Sequence, residues 1–304
     1  MHMMDLWNLQ GQLLLLLASG VLLRRLGIVS EHAKRVLTDL VIYVTLPCSI
    51  VLSFRMDIDQ TIMVSLGTVL LISFAIQMFC ILLGNLLYRK QDARKRAVLR
   101  YGILVSNSGF MGLPIAGELY GIMGAMYASI YLIPQRVVMW TAGLSCFTAN
   151  EQSRREKIKE IARHPGIVSV YIGLVLMVFD LSIPGFFLQS MESVAVCTTP
   201  LSMLLIGAII GEMNRSEVRV SWFALGYTAI RLILIPGVSY LVLLLVNTDP
   251  VIMAVSVLLA GMPVGSTTAI LAAKYGGDAS FGSQLVAIST ILSLISIPLW
   301  ALIL

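Results

Sequence analysis

Two stretches of the sequence combine helix-breaking residues with small hydrogen-bonding ones: Ser106-Asn107-Ser108-Gly109-Phe110-Met111-Gly112-Leu113-Pro114 and Ala260-Gly261-Met262-Pro263-Val264-Gly265-Ser266-Thr267-Thr268. Proline removes an N–H and disfavours helix in the residue before it, and glycine tolerates unusual dihedrals, so each stretch interrupts a helix. Where the helix resumes, its first N–H groups lack partners and carry roughly half a positive charge, which suits an anion, typically a carboxylate. On this reasoning Ser108, Gly112, Pro114, Pro263, Gly265 and Ser266 belong to a candidate substrate site. The alternative is a pair of proline kinks lined with small residues for close packing, and Gly261 and Gly265 do form a GxxxG pair. A third candidate is Arg136, which follows Gln135 inside an apolar segment. An arginine at mid-bilayer costs at least ~2.5–3.5 kcal/mol, so it is expected to face a cavity or a partner. Its planar fork fits a substrate carboxylate, the alternative being a structural pair with Glu118 or another acid.

The elements that must hold these residues follow from composition. The chain has 304 residues, 58% hydrophobic and 12% charged, against roughly 25% charged in an ordinary soluble domain. A soluble globule is thereby excluded. At ~20 apolar residues per membrane helix the chain accommodates about ten spans and no soluble catalytic domain. Apolar runs bounded by charge, glycine or proline fall at 8–23, 36–54, 61–87, 98–120 and 124–148, then at 166–182, 191–211, 222–246, 251–275 and 280–303. Each interrupted run is the fourth of its group.

The 21 basic residues alternate as the positive-inside rule requires. The odd loops carry Arg24, Arg25, Lys34, Arg35; Arg89, Lys90, Arg94, Lys95, Arg96, Arg100; Arg154, Arg155, Lys157, Lys159, Arg163; Arg215, Arg219; and Lys274. Arg55 alone lies on the opposite side, and Arg136 and Arg231 fall within spans. Both termini are therefore expected outside the cytoplasm of a multi-pass protein of the cell membrane. The net charge of +5 is assigned to topology rather than to nucleic acid.

A five-span unit that is duplicated must enter the membrane inverted the second time. Asp39 to Leu52 aligns without gaps on Glu192 to Leu205, with Val41/Val194, Thr45/Thr198, Pro47/Pro200, Ser49/Ser202 and Leu52/Leu205 identical. Chance similarity of two apolar helices is the alternative. The expected organisation is a first repeat over 1–149, a basic linker over 150–165 and a second repeat over 166–304. The fold class is all-α integral membrane, with broken fourth and ninth helices. Asp39 and Glu192, near helix starts, read as helix-terminus charges or as coupling groups. Arg231 reads as structural or functional, within reach of the surface by snorkelling. Glu151 to Arg163 reads as an amphipathic basic helix on anionic lipid, with regulatory binding as the alternative. Cys48, Cys80, Cys146 and Cys197 stand singly in apolar runs and read as buried thiols, with no metal set. The basic pair Arg24, Arg25 follows the first apolar run rather than preceding it, so that helix is expected to be retained.

Asn107-x4-Gly112-x-Pro114-x5-Tyr120-Gly121, Gln135-x4-Trp140-Thr141, Met262-Pro263-x-Gly265 and Ala-x-Lys-Tyr275 resemble the motifs of the auxin efflux carrier family. The likeness follows all ten spans in order. It implies crossed, broken helices, a transport domain moving against a scaffold of the first two helices of each half, and carriage of small organic anions. Carried over by position, Asn107 and Gln135 are implied pocket residues and Pro114 the crossing-point proline. Two departures stand out: Thr268 occupies the place of a second proline in the plant proteins, and the central loop is short, as in bacterial members. Malate-like, malonate-like and auxin-like acids are all compatible with such a member.

The expected function is secondary transport of a small organic anion by alternating access, uncoupled or proton-linked. No cofactor is expected, and the partners are the anion, the lipid bilayer and, compatibly, a second copy of the chain. A sodium-coupled bile-acid-type symporter and a sensor using the same pocket are the competing readings. An enzyme finds little support: HExxH and GxSG are absent, Tyr275-Gly-Gly-Asp278 is not GxGD, and His2, His32 and His164 lie outside the spans.

Overall fold

A computed structural model describes residues 3–55, 60–147, 162–163, 165–212 and 221–304. Among these residues the chain is all-helical. We number the helices α1 (Met3–Arg25), α2 (Glu31–Ser53), α3 (Gln60–Leu87), α4 (Ala93–Leu104), α5 (Ser108–Cys146), α6 (Pro165–Val178), α7 (Gly185–Glu212), α8 (Trp222–Leu245), α9 (Pro250–Ala260), α10 (Thr267–Lys274) and α11 (Ala279–Ile303). Among the described residues six helical segments are long and apolar enough to cross a membrane, and α6 and α9 are shorter apolar helices. The basic linker falls outside the described residues except at 162–163.

Polar side chains set the helix starts. Ser30 accepts from the Ala33 N–H, Asp92 from Arg94, Ser221 from Ala224, Asp249 from Val251 and Ile252, and Asp278 from Phe281, each satisfying donors that a helix start leaves open. Because Asp92 caps it, α4 begins at Ala93, five residues before the expected boundary, and takes Arg94 to Arg100 into the helix. Prolines set three of the interior irregularities. Wide π turns at Val41–Thr45, Ser108–Gly112 and Ile230–Leu234 run into Pro47, Pro114 and Pro236. The cause is the same each time: a proline ring cannot fit against the carbonyl four residues back, so the preceding turn opens.

The expected span 98–120 is interrupted at 105–107, and α5 turns back sharply at Gly121, whose φ of 63° is open to glycine. The two arms of α5 then touch so closely that a Cβ on Gly124 would lie 2.1 Å from the Ala116 carbonyl oxygen. A similar approach joins α1 to α7, where a Cβ on Gly207 would lie 2.1 Å from the Leu17 carbonyl. Small residues let helix backbones meet where no hydrophobic drive operates.

The distribution of polarity is that of a protein dissolved in lipid. Trp222 is 90% exposed and Leu245 84%, whereas Ser73, Ser108, Ser202, Ser256 and Thr268 are fully buried. Cys80 is buried, Cys48 and Cys146 are half-buried, and Cys197 is exposed. The expectation of four buried thiols therefore fails at Cys197, because an apolar run does not distinguish a lipid-facing position from a core one. At the centre α5 packs on α2, α3, α6 and α9, and it is there that the two broken helices meet.

Candidate functional site

The segment after α4 and the segment after α9 cross as a short antiparallel bridge between Ser106 and Val264. The Asn107 N–H donates to the Pro263 carbonyl (2.8 Å) and the Gly265 N–H to the Val105 carbonyl (2.9 Å). A Cβ on Gly265 would sit 3.1 Å from that same Val105 oxygen, so glycine is what allows the backbones to cross. The Val264 N–H donates to Ser289 Oγ at 3.1 Å.

Side chains satisfy the carbonyls that the breaks expose. Gln135 Nε2 donates to the Ser106 carbonyl (2.8 Å), and Ser108 Oγ donates to Leu259 (2.9 Å). Arg231, only 2% exposed, donates from Nη1 to the Ala260 carbonyl at 2.7 Å. A cation at the carbonyl end of a helix is favourable, so Arg231 turns inward to cap α9 and does not snorkel. Gln135 is buried in the crossing, and Thr268, in the place of the plant proline, donates its N–H to the Gly265 carbonyl.

Two cavities open beside the crossing. A vestibule of about 780 Å³ has Glu31, Lys34, Arg35, Asp39 and Glu212 near its mouth and reaches Asn107, Ser266 and Thr267. A smaller cavity of about 180 Å³ lies between α2, both arms of α5 and α6, and Arg136 lines it together with Gly109, Leu113, Ile133 and Val170. Ile42, Phe110 and Thr267 border both. Tyr101 positions Thr267 through a 3.1 Å hydrogen bond from its hydroxyl.

Arg136 is half-buried, and the tip of its guanidinium reaches Gly109 in the first turn of α5, where an added Cβ would meet Nη2 at 2.6 Å and Cζ at 3.7 Å. Its polar contact is a 3.9 Å approach of Nη1 to the Met139 sulfur. No carboxylate lies within ion-pair distance of it among the described residues. Glu118, the alternative partner, instead accepts a 3.4 Å hydrogen bond from Thr199. An uncompensated guanidinium and the positive end of a helix thus share one small, mostly apolar cavity.

The remaining candidates scatter. Gly112 meets Met262 and Leu259 as a close-packing residue, and Pro114 is buried in the first turn after the π bulge. Asp39 is exposed in the vestibule, and Glu192 pairs with Arg55 at 3.4 Å on the surface. Sequence reasoning passed over Phe110, Tyr101 and Ile42. Thr267 lay within the second interrupted stretch, and its place at the resumption of α10 was the available signal. Among the described residues no three His, Cys, Asp or Glu side chains gather as a metal site requires.

The sequence matches a family described as membrane transport protein over residues 11–161 and again over 155–301. The chain belongs to that family. It is the auxin efflux carrier family whose motifs the sequence carries, and its members are multi-pass membrane transporters. An uncharacterized transporter of Methanocaldococcus jannaschii is 23% identical over 302 residues, and one of Methanothermobacter thermautotrophicus is 28% identical over 306. Each alignment covers 96% of this chain and 96% of the relative. The double match of one family to one chain agrees with an internal repeat.

Proposed function

We propose that this membrane transport protein is a secondary transporter that carries a small organic anion across the cell membrane by alternating access. Its organisation is ten spans in two inverted repeats, 1–149 and 166–304, joined by the 150–165 linker, with both termini outside the cytoplasm. The observation that carries the reading is Arg136, a half-buried cation with no acid partner among the described residues, set against Gly109 at the start of a resumed helix. Guanidinium and helix end reinforce each other for a carboxylate.

The substrate class narrows with the lining. Beyond Arg136 the small cavity is walled mainly by Ile42, Leu46, Leu132, Ile167 and Val170, with the Ser129 and Thr267 hydroxyls as its neutral polar groups, so a second carboxylate there would be desolvated without a second cation. A monocarboxylate with a compact apolar body, the auxin-like class, fits better than malate or malonate. The vestibule, with Lys34 and Arg35 near its mouth and Asn107 and Ser266 at its floor, supports an entry route from the side of the basic loops. Transport is uncoupled or proton-linked, without cofactor or catalysis.

The test is uptake into proteoliposomes. Arg136→Gln abolishes uptake of a labelled aromatic monocarboxylate while the variant stays folded and monodisperse, and uptake does not require Na⁺. Near-normal uptake by the variant refutes the assignment. Binding without flux makes the protein a sensor, and strict Na⁺ dependence makes it a symporter. A thermal-shift comparison of phenylacetate with malate tests the class, since a ligand that binds the folded state raises its melting temperature.

A further inference from the structure

On the side of the basic loops, away from the crossing, a recess of about 370 Å³ lies between the first turns of α4, the end of α5 and the α10–α11 turn. Arg94, Arg96 and Arg100 all line it. Arg96 and Arg100 are four residues apart, on one face of α4, where like charges repel. Topology alone asks for basic residues in this loop but does not ask them to face one concave space.

Among the described residues no carboxylate neutralises the three guanidiniums. Arg94 donates from Nε to the Gly276 carbonyl (3.2 Å) and from Nη2 to Gly277 (3.4 Å), and Arg96 donates from Nη1 to the Arg89 carbonyl (3.4 Å). Carbonyls orient these groups without cancelling their charge. Arg100 Nε is buried with no hydrogen-bond partner. The nearby acids among the described residues are otherwise engaged: Asp92 caps α4 and Asp278 caps α11. No ion pair joins either to these arginines among the described residues.

The opposite wall is a close-packed glycine turn. Gly276 has a φ of +75°, which favours glycine, and a Cβ on Gly277 would press to 2.9 Å from the Phe147 ring. Three planar forks around a polar recess match the several oxygens of a phosphate group. We infer that this recess is an anion site for a phosphate group, carried by a membrane lipid headgroup or free in solution. It clasps α4, α5 and the α10–α11 turn together, independently of the Arg136 cavity.

Two arms identify the source of the phosphate. In the first, the delipidated full-length protein in neutral detergent receives inorganic phosphate, with chloride at equal ionic strength as control. In the second, it is placed in phosphatidylcholine nanodiscs with or without phosphatidylglycerol. The expected result is a melting temperature at least ~2 °C higher in one or both arms. A rise confined to phosphatidylglycerol assigns a lipid headgroup, and a rise with inorganic phosphate assigns a free ligand as well. Arg100→Gln with Arg96→Gln removes the rise, Arg100→Lys weakens it, and Arg136→Gln keeps it. Should the double variant fail to fold, Arg100→Lys alone decides. No rise in either arm overturns the inference, as does a rise that Arg100→Lys leaves at full size. Filling of the recess by a linker carboxylate such as Glu156, revealed by a rise appearing only in Glu156→Gln, also overturns it.

Discussion

Gly109→Ala separates the role of Arg136 from the stability of the helix that carries it. The added methyl would lie 2.6 Å from Arg136 Nη2 and 3.7 Å from its Cζ. Ordinary contact begins near ~3.4 Å, so the nitrogen must retreat by about 0.8 Å, and because it ends a flexible side chain it moves while the helix stays. A charge-assisted hydrogen bond of ~2.7–2.9 Å lengthened by that amount is no longer one. Losing it costs about 1.5–3 kcal/mol, a roughly ten- to hundredfold weaker apparent Kd. The fold should respond in the opposite direction, since alanine in a helix is favoured over glycine by ~0.5–1 kcal/mol. The variant is therefore expected to melt no lower than the parent and to bind a labelled aromatic monocarboxylate much more weakly. Calorimetric titration in the Arg136→Gln background completes the cycle, because there Gly109→Ala should add no further loss. A parent-like Kd for Gly109→Ala, or an equal loss in both backgrounds, refutes the placement of Arg136 beside the substrate.

Two further substitutions probe the crossing itself and a third probes the turn of α5. Gln135→Ala deprives the buried Ser106 carbonyl of its donor and should lower stability by about 1–3 kcal/mol, read as a drop in melting temperature; a stable variant with weakened binding would return Gln135 to the substrate pocket. Arg231→Gln strips Nη1 from the Ala260 carbonyl and should destabilise by a similar ~1–3 kcal/mol while leaving the apparent Kd unchanged, so a selective loss of binding contradicts the capping role. Gly124→Ala drives a Cβ into the Ala116 carbonyl at 2.1 Å, forcing the arms of α5 apart at ~1–3 kcal/mol or more; size-exclusion in detergent should show a reduced folded fraction, and a parent-like profile would place the turn at Gly121 differently.

The breaks were legible in the sequence because proline and glycine act locally, and Arg136 because an unpaired cation in an apolar run is costly wherever the chain folds. What failed were inferences about direction. Gln135 and Arg136 are neighbours in sequence, yet successive helix positions are rotated by about 100°, so one points into the crossing backbone and the other into the cavity. For Arg231 the sequence left a structural and a functional role open, with water within reach by snorkelling, and its partner is a carbonyl freed on another helix, which no local pattern reveals. The start of α4 was misjudged for a related reason: a run of basic residues reads as a loop until Asp92 is recognised as its cap. The recess around Arg100 depends on three segments that are far apart in the chain.

The two breaks also explain each other. Alone, each would expose backbone groups to hydrocarbon at several kcal/mol apiece. Together, the Asn107 N–H is taken by Pro263 and the Gly265 N–H by Val105, so each break supplies acceptors for the other. The donors contributed by side chains, Gln135, Ser108, Arg231 and, toward Leu99, Tyr227, all go to carbonyls of α4, α9 or the segments just after them. The negative ends of the broken helices are thus satisfied by protein, while the positive ends, near Gly109 and Thr267, border the cavities. On the proposed reading, a ligand that completes such a site brings negative charge. Arg136, oriented toward the same space without an acid partner among the described residues, adds to that demand, so the polarity of the crossing and the placement of one arginine argue independently for an anionic substrate.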